Sequence, residues 1–134
     1  MKRYIIAYFC FLVPMLAIDA VWLFTMSKRF YAEKIGSLLA ESPRLAPAGI
    51  FYLIYALGAS VLVVVRAVDA DAGFVEIFLL GALLGLFAYG TYDLTNQATL
   101  KEWPTLVTIV DLVWGALLTG VVSIIAVALT RLFI

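Results

Sequence analysis

The sequence predicts an all-α integral membrane protein that forms a four-helix bundle. Of its 134 residues, 66% are hydrophobic, and the mean hydropathy is +1.12. Soluble domains are usually about 45–50% apolar. Four apolar stretches of this chain reach the roughly 20 residues that a helix needs to cross a bilayer. Because backbone groups in lipid must be satisfied within their own segment, and the alternation typical of a barrel is absent, these stretches should be helices.

The predicted spans are Tyr4–Met26, Pro47–Val65, Phe74–Thr95 and Pro104–Thr130, within a single transmembrane domain that covers residues 1–134. Charged residues are few within them. Asp19 lies inside the first span, Asp93 lies near the end of the third, and Asp111 lies inside the fourth. A carboxylate within a span is costly by a few kcal/mol, so these aspartates are the best functional clue in the chain.

The longest connection, Ser27–Ala46, has helical character of its own. Its apolar residues fall at helical spacing, and its charged residues lie mostly on other faces. This pattern predicts a short amphipathic helix in the membrane interface. Such a helix could be only an anchor, or it could form a lid over a site beneath it.

The composition excludes several functional classes. Nine basic and nine acidic residues cancel, so no basic field for nucleic acid is present. The sequence contains no histidine, which removes the commonest proton shuttle and the usual imidazole ligand of haem and zinc. Its single cysteine, Cys10, excludes an internal disulfide and a CxxC motif. We therefore expect no cofactor, and the identity of any bound metal stays open.

Two of the aspartates are expected at matching depth. Asp19 lies seven residues before the end of the first span and Asp111 seven residues after the start of the fourth, about 10 Å in each case. Those two ends face the same side of the membrane, and so does the end of the third span, which carries Asp93. The acids of three helices should therefore gather in one half of the bilayer.

This argument predicts an acidic intramembrane pocket that opens toward the side of Ser27–Ala46. The residues assigned to it are acids, aromatic residues and a few other polar residues, and none is given a catalytic role. They are Asp19, Trp22, Tyr52, Tyr55, Tyr89, Tyr92, Asp93, Thr95, Asn96, Lys101, Asp111 and Trp114.

A short motif, Asp-x-Val-Trp, occurs twice. It reads Asp19-Ala20-Val21-Trp22 in the first span and Asp111-Leu112-Val113-Trp114 in the fourth. Tryptophan is enriched at membrane interfaces, so both rings could be interface anchors. The alternative is that they stack on a ligand of the pocket.

Several of these segments together resemble a known family. The segments are Asp19–Leu23, Phe51–Tyr55, Ala88–Asn96 with Tyr-Asp-Leu-Thr-Asn as its most specific part, Ala98–Lys101 with Trp103-Pro104, and Val110–Gly115. They are similar to the small bacterial membrane proteins grouped as DUF2177, and Glu102 departs from the glycine expected between Lys101 and Trp103. The resemblance implies a multi-pass protein of the bacterial inner membrane with four spans, and it implies no activity.

The residues leave several functions open. The acids could be protonated and serve only as interhelical hydrogen-bond partners, which contribute about 0.5–2 kcal/mol each. They could bind a proton or a hard cation in a small transporter, because carboxylate, amide and hydroxyl oxygens suit such ions. A four-span chain is small for an enclosed path, so a homodimer is expected in that case. Lys101, or an arginine from Ser27–Ala46, could instead pair with Asp93 and remove the need for a bound ion.

Two other classes of function also remain. Paired acids could act as acid and base in an enzyme, or its accessory protein, that processes a lipid at the interface. However, the sequence contains no phosphate-binding loop, nucleophile elbow or HExxH motif, and it does not decide whether the protein is an enzyme. The chain could also be a structural subunit of a membrane complex. Binding or transport of an ion, a proton or a small substrate is the function these residues favour most.

Overall fold

The computed structural model describes residues 1–134, and four long helices dominate it. They are α1 (Lys2–Met26), α2 (Leu45–Asp69), α3 (Phe74–Thr99) and α4 (Thr105–Phe133). All four are long and apolar enough to cross a membrane, and no strand is present. The predicted fold class is thus confirmed.

Most of the helix ends extend a few residues beyond the predicted spans. Hydropathy marks only the apolar length, whereas a helix continues until something ends it. The end of α3 is an example, because the hydroxyl of Thr99 donates to the carbonyl of Thr95 at 2.7 Å and so remains within the helix. The chain after α2 turns at Asp71, whose φ of 49° lies in the left-handed region.

Helical structure continues beyond α1 through residues 27–38, which we call the extension. Its first five residues, Ser27–Tyr31, form a π-helical turn, and it ends in a 3₁₀ turn, Gly36–Leu38. The amphipathic helix predicted here is therefore helical but continuous with α1, because no proline or glycine interrupts the chain between Met26 and Gly36. Its position in the membrane interface stays a prediction.

The four helices run up and down in sequence, so the bundle has two distinct ends. The polar end carries the extension, the start of α2 and the connection between α3 and α4. The basal end carries the N-terminus, the α2–α3 connection and the C-terminus. At the basal end Arg131 donates to the carbonyl of Ala72 at 2.9 Å, and Arg3 pairs with Asp69.

The closest helix pair is α3 with α4, and glycine makes that approach possible. A Cβ built on Gly85 would overlap the backbone carbonyl of Gly115, and a Cβ on Gly81 would lie 2.8 Å from the carbonyl oxygen of Thr119. Small residues let membrane helices approach to backbone contact. The contact fixes the position of α3, and with it Asp93, against α4.

The basal half of the bundle is filled by aliphatic and aromatic side chains. Phe11, Met15, Ile77, Val122 and Val127 are fully buried there. Two of the buried hydroxyl groups nearby donate to carbonyls of their own helices four residues earlier. The acids lie toward the polar end instead.

Candidate functional site

Asp19 is buried between three helices, and both of its carboxyl oxygens accept a hydrogen bond. The phenol of Tyr52, on α2, donates to Oδ2. The indole Nε1 of Trp114, on α4, donates to Oδ1 at 3.0 Å. Only 4% of Asp19 is exposed, so these donors replace the water that the carboxyl group would otherwise bind.

Asp111 is buried nearer the polar end and accepts a hydrogen bond from the extension. The phenol of Tyr31 donates to its Oδ1. Tyr31 in turn accepts a hydrogen bond from the indole Nε1 of Trp22 at 3.1 Å. Side chains of a helix lean toward its N-terminus, so Tyr31 can reach back from the π-helical turn into the bundle.

The two tryptophans join these groups. Their rings stack with centroids 4.1 Å apart and planes inclined by 8°. Because α1 and α4 are antiparallel, the tryptophan of each motif lies toward the aspartate of the other. The recurring Asp-x-Val-Trp motif thus forms one reciprocal unit, an arrangement that neither of our interpretations of the tryptophans included.

Asp93 differs from the other two acids, because neither of its carboxyl oxygens has a hydrogen-bond donor although the residue is fully buried. Its neighbour is another acid, Asp111 on α4, which lies close enough for the two carboxyl groups to interact. Two carboxylates have no hydrogen to share, so such a contact requires a proton on one of them or a cation between them. Leaving both charged and unpaired in an apolar interior would be strongly unfavourable.

Two more of the predicted residues lie beside this group. The hydroxyl oxygens of Tyr55 and Thr119 are 2.8 Å apart in a hydrogen bond between α2 and α4. The ring of Tyr89 occupies the space that a side chain at Gly115 would need. Tyr89 also lies close enough to Asp19 and Asp111 to be influenced by their charge.

Four of the predicted residues do not join the acids. Tyr92 is 60% exposed and packs edge-on against Trp103, with ring centroids 5.8 Å apart. The hydroxyl of Thr95 donates to the carbonyl of Thr91 in its own helix, and Asn96 is half-buried. Lys101 is exposed and forms no ion pair, so it does not pair with Asp93.

Sequence reasoning missed one residue of the group, Tyr31. Its aromatic ring fits the apolar face predicted for the segment Ser27–Ala46, and this conceals the role of its hydroxyl group. The signal that could have identified it is the phenolic hydroxyl, which a buried tyrosine must pair with an acceptor. In this chain the acceptor is Asp111.

The three acids do not form one metal centre. No group of three acid, cysteine or histidine side chains in the chain is placed to hold a metal ion. Asp19 is engaged by Tyr52 and Trp114, whereas Asp93 and Asp111 form a separate pair, which we call the acid pair. Two open surface grooves, one at the start of α3 and one between α1 and α4, lie near the basal end and do not border the acids.

Four apolar helices around a buried acid pair define a small helical membrane protein. The family model described as "Predicted membrane protein (DUF2177)" matches residues 4–128, and the chain belongs to this family. No curated protein and no solved structure matches the chain.

Proposed function

We propose that this membrane protein binds an ion, either a proton or a hard cation, between Asp93 and Asp111. The observation that carries the proposal is the fully buried carboxyl group of Asp93, which has no donor on either oxygen. Buried polar groups almost always have a partner, so an orphaned one points to an unseen ligand. The neighbouring acid adds a second group that needs the same ligand.

A purely structural role fits Asp19 better than it fits the acid pair. Asp19 joins α1 to α2 and α4 through two donors and needs nothing more. Asp93 joins α3 to α4 only if an ion is present between it and Asp111. The helices α3 and α4 already contact each other through glycine backbones, and this contact does not involve the acids.

The asymmetry of the bundle supports exchange of the ion at the polar end. Asp111 contacts the extension directly through Tyr31, whereas aliphatic side chains fill the basal half. Transfer of the ion across the bilayer therefore requires the basal half to open or a second copy of the chain to complete the path. As part of the proposal, the protein resides in the bacterial inner membrane and acts as a homodimer.

Reconstitution into phosphatidylcholine vesicles tests the function. Ion uptake is measured with a pH-sensitive dye and, in separate runs, with Na⁺, Ca²⁺ or Mg²⁺ as the only added cation. Uptake or binding by the wild-type protein should be lost in both Asp93→Asn and Asp111→Asn. Normal uptake and binding by both variants would overturn the proposal.

The chain offers a matched control in Asp71→Asn. Asp71 lies at the basal end, its side chain is 98% exposed, and it pairs with Arg131 at 3.4 Å. Asparagine also accepts a positive φ readily, so the turn should persist. This variant removes an acid of the same type and should bind the ion as the wild-type protein does.

A further inference from the structure

The supply of hydrogen-bond donors differs among the three buried acids. Asp19 receives two donors and Asp111 receives one, whereas Asp93 receives none. A carboxylate in an apolar interior is stabilised by donors, and a protonated carboxyl group can act as a donor itself. The three acids should therefore differ in protonation.

We infer that the ion of the acid pair is a proton, that Asp93 carries it, and that Tyr31 is the positioning residue that keeps Asp111 as the carboxylate. This inference rests on the proposed function, because it identifies the ion and the group that holds it. The O–H of Asp93 donates to Asp111, and the pair carries one negative charge. Asp93 releases this same proton when the site empties.

The direction of the hydrogen bonds at Tyr31 carries the assignment. An indole N–H can only donate, so the oxygen of Tyr31 must accept from Trp22. Tyr31 has a single hydrogen, and that hydrogen points to Oδ1 of Asp111. Asp111 thereby receives a donor that stabilises its carboxylate, whereas Asp93 receives none, so the proton of the pair is favoured on Asp93.

The surroundings of Asp93 favour a proton over a metal ion. Hard cations such as Ca²⁺ take about six to eight oxygen ligands, and here two carboxyl groups form the pair, one of which already accepts from Tyr31. The titratable groups that face Asp93 from the neighbouring elements are Asp111 on α4 and Tyr31 on the extension, while Tyr92 on its own helix turns outward against Trp103. None of these groups is a cation, so no side chain offsets the charge of two carboxylates. A proton on Asp93 removes one of these charges without needing further oxygen ligands.

Infrared spectroscopy of the full chain in phosphatidylcholine vesicles at neutral pH tests the inference. A protonated carboxyl group has its own carbonyl-stretch band, and aspartate labelled with carbon-13 distinguishes it from glutamate. The wild-type protein should show one such band, and Asp93→Asn should remove it. Tyr31→Phe should shift it, because Asp111 then accepts more strongly from Asp93.

Two further variants separate positioning from mere packing. Trp22→Phe retains an aromatic ring for the stack but removes the N–H donor, so it should shift the band in the same direction as Tyr31→Phe. Tyr4→Phe is the matched control, because Tyr4 is half-exposed near the basal end. It should leave the band unchanged.

The outcomes distinguish this inference from the proposed function. If the wild-type protein has no aspartic acid band but binds Na⁺, Ca²⁺ or Mg²⁺ through Asp93, the ion is a metal, and only the proton assignment fails. A band that survives Asp93→Asn overturns the assignment to Asp93, and a band unmoved in Tyr31→Phe overturns the role of Tyr31. Absence of both the band and cation binding overturns the inference and the proposed function together.

Discussion

Asp19 and Asp93 are both buried acids on helices that can cross a membrane, yet their environments are opposite. Asp19 accepts from a phenol and an indole on two other helices. Asp93 has no donor and faces a second acid. The difference shows that burial alone does not separate these two acids, whereas the count of hydrogen-bond donors does.

The largest expected effect is a loss of stability in Asp19→Ala. The substitution leaves the hydroxyl of Tyr52 and the indole N–H of Trp114 without their acceptor inside the bundle. Each unsatisfied donor costs about 1–3 kcal/mol, so the free energy of unfolding should fall by about 2–6 kcal/mol. Unfolding in mixed detergent micelles, followed by circular dichroism, measures it. A loss no larger than that of Asp93→Ala would remove the contrast between the two acids.

Gly85→Ala should have the next largest effect and should act on the acid pair from a distance. Its methyl group would overlap the carbonyl of Gly115. The overlap would push α3, which carries Asp93, away from α4, which carries Asp111. We expect a destabilisation of about 1–3 kcal/mol, as for other overpacked sites, together with weaker ion binding. The same detergent unfolding and the vesicle assay measure both changes.

Gly58→Ala is the control for that substitution. Gly58 lies within α2, and nothing lies within 4 Å of a Cβ built on it. Alanine in a helix interior is more favourable than glycine by about 0.5–1 kcal/mol. This variant should be at least as stable as the wild-type protein, and equal destabilisation of the two variants would show that the close approach at Gly85 is not the cause.

Trp22→Phe should cost less, because it removes one donor and keeps a stacking ring. We expect a loss of about 0.5–1.5 kcal/mol, the usual net contribution of one hydrogen bond. The near-ultraviolet circular dichroism of the stacked indoles should also diminish, since a phenylalanine ring replaces one of the two indoles of the stack. An unchanged spectrum would mean that the two rings are not stacked in the membrane.

The smallest effect on stability is expected for Asp93→Asn. The amide is nearly the same size, needs no bound ion, and can donate to Asp111. We expect a free energy of unfolding within about 0.5 kcal/mol of wild type, or above it, while ion binding is lost. A destabilisation as large as that of Asp19→Ala would assign Asp93 a structural role.

Hydropathy and helical length were sufficient to predict the fold. Counting residues from the span ends also assigned Asp19 and Asp111 to similar depths. In the structure Asp111 contacts the extension, whereas Asp19 contacts α2 and α4. These contacts show that Asp111 lies nearer the polar end. The count could not resolve this, since true helix ends differ from hydropathy boundaries.

The sequence alone could not identify the side chains that contact the acids. Tyr31 joins the group only because α1 continues through a π-helical turn, which no residue pattern specified. Tyr92 and Thr95 were assigned to the pocket by their depth in the membrane, but the rotation of α3 turns them outward. Rotation is set by the glycine contact with α4, a tertiary feature that residue spacing within one helix does not reveal.

An experimental density map of the protein in lipid, at a resolution that shows side-chain oxygens and bound water, tests the central claim most directly. The account predicts that the carboxyl groups of Asp93 and Asp111 lie within hydrogen-bonding distance and that no protein donor reaches Asp93. A donor such as Lys101 bonded to Asp93, or a carboxyl group turned outward to lipid, would contradict it.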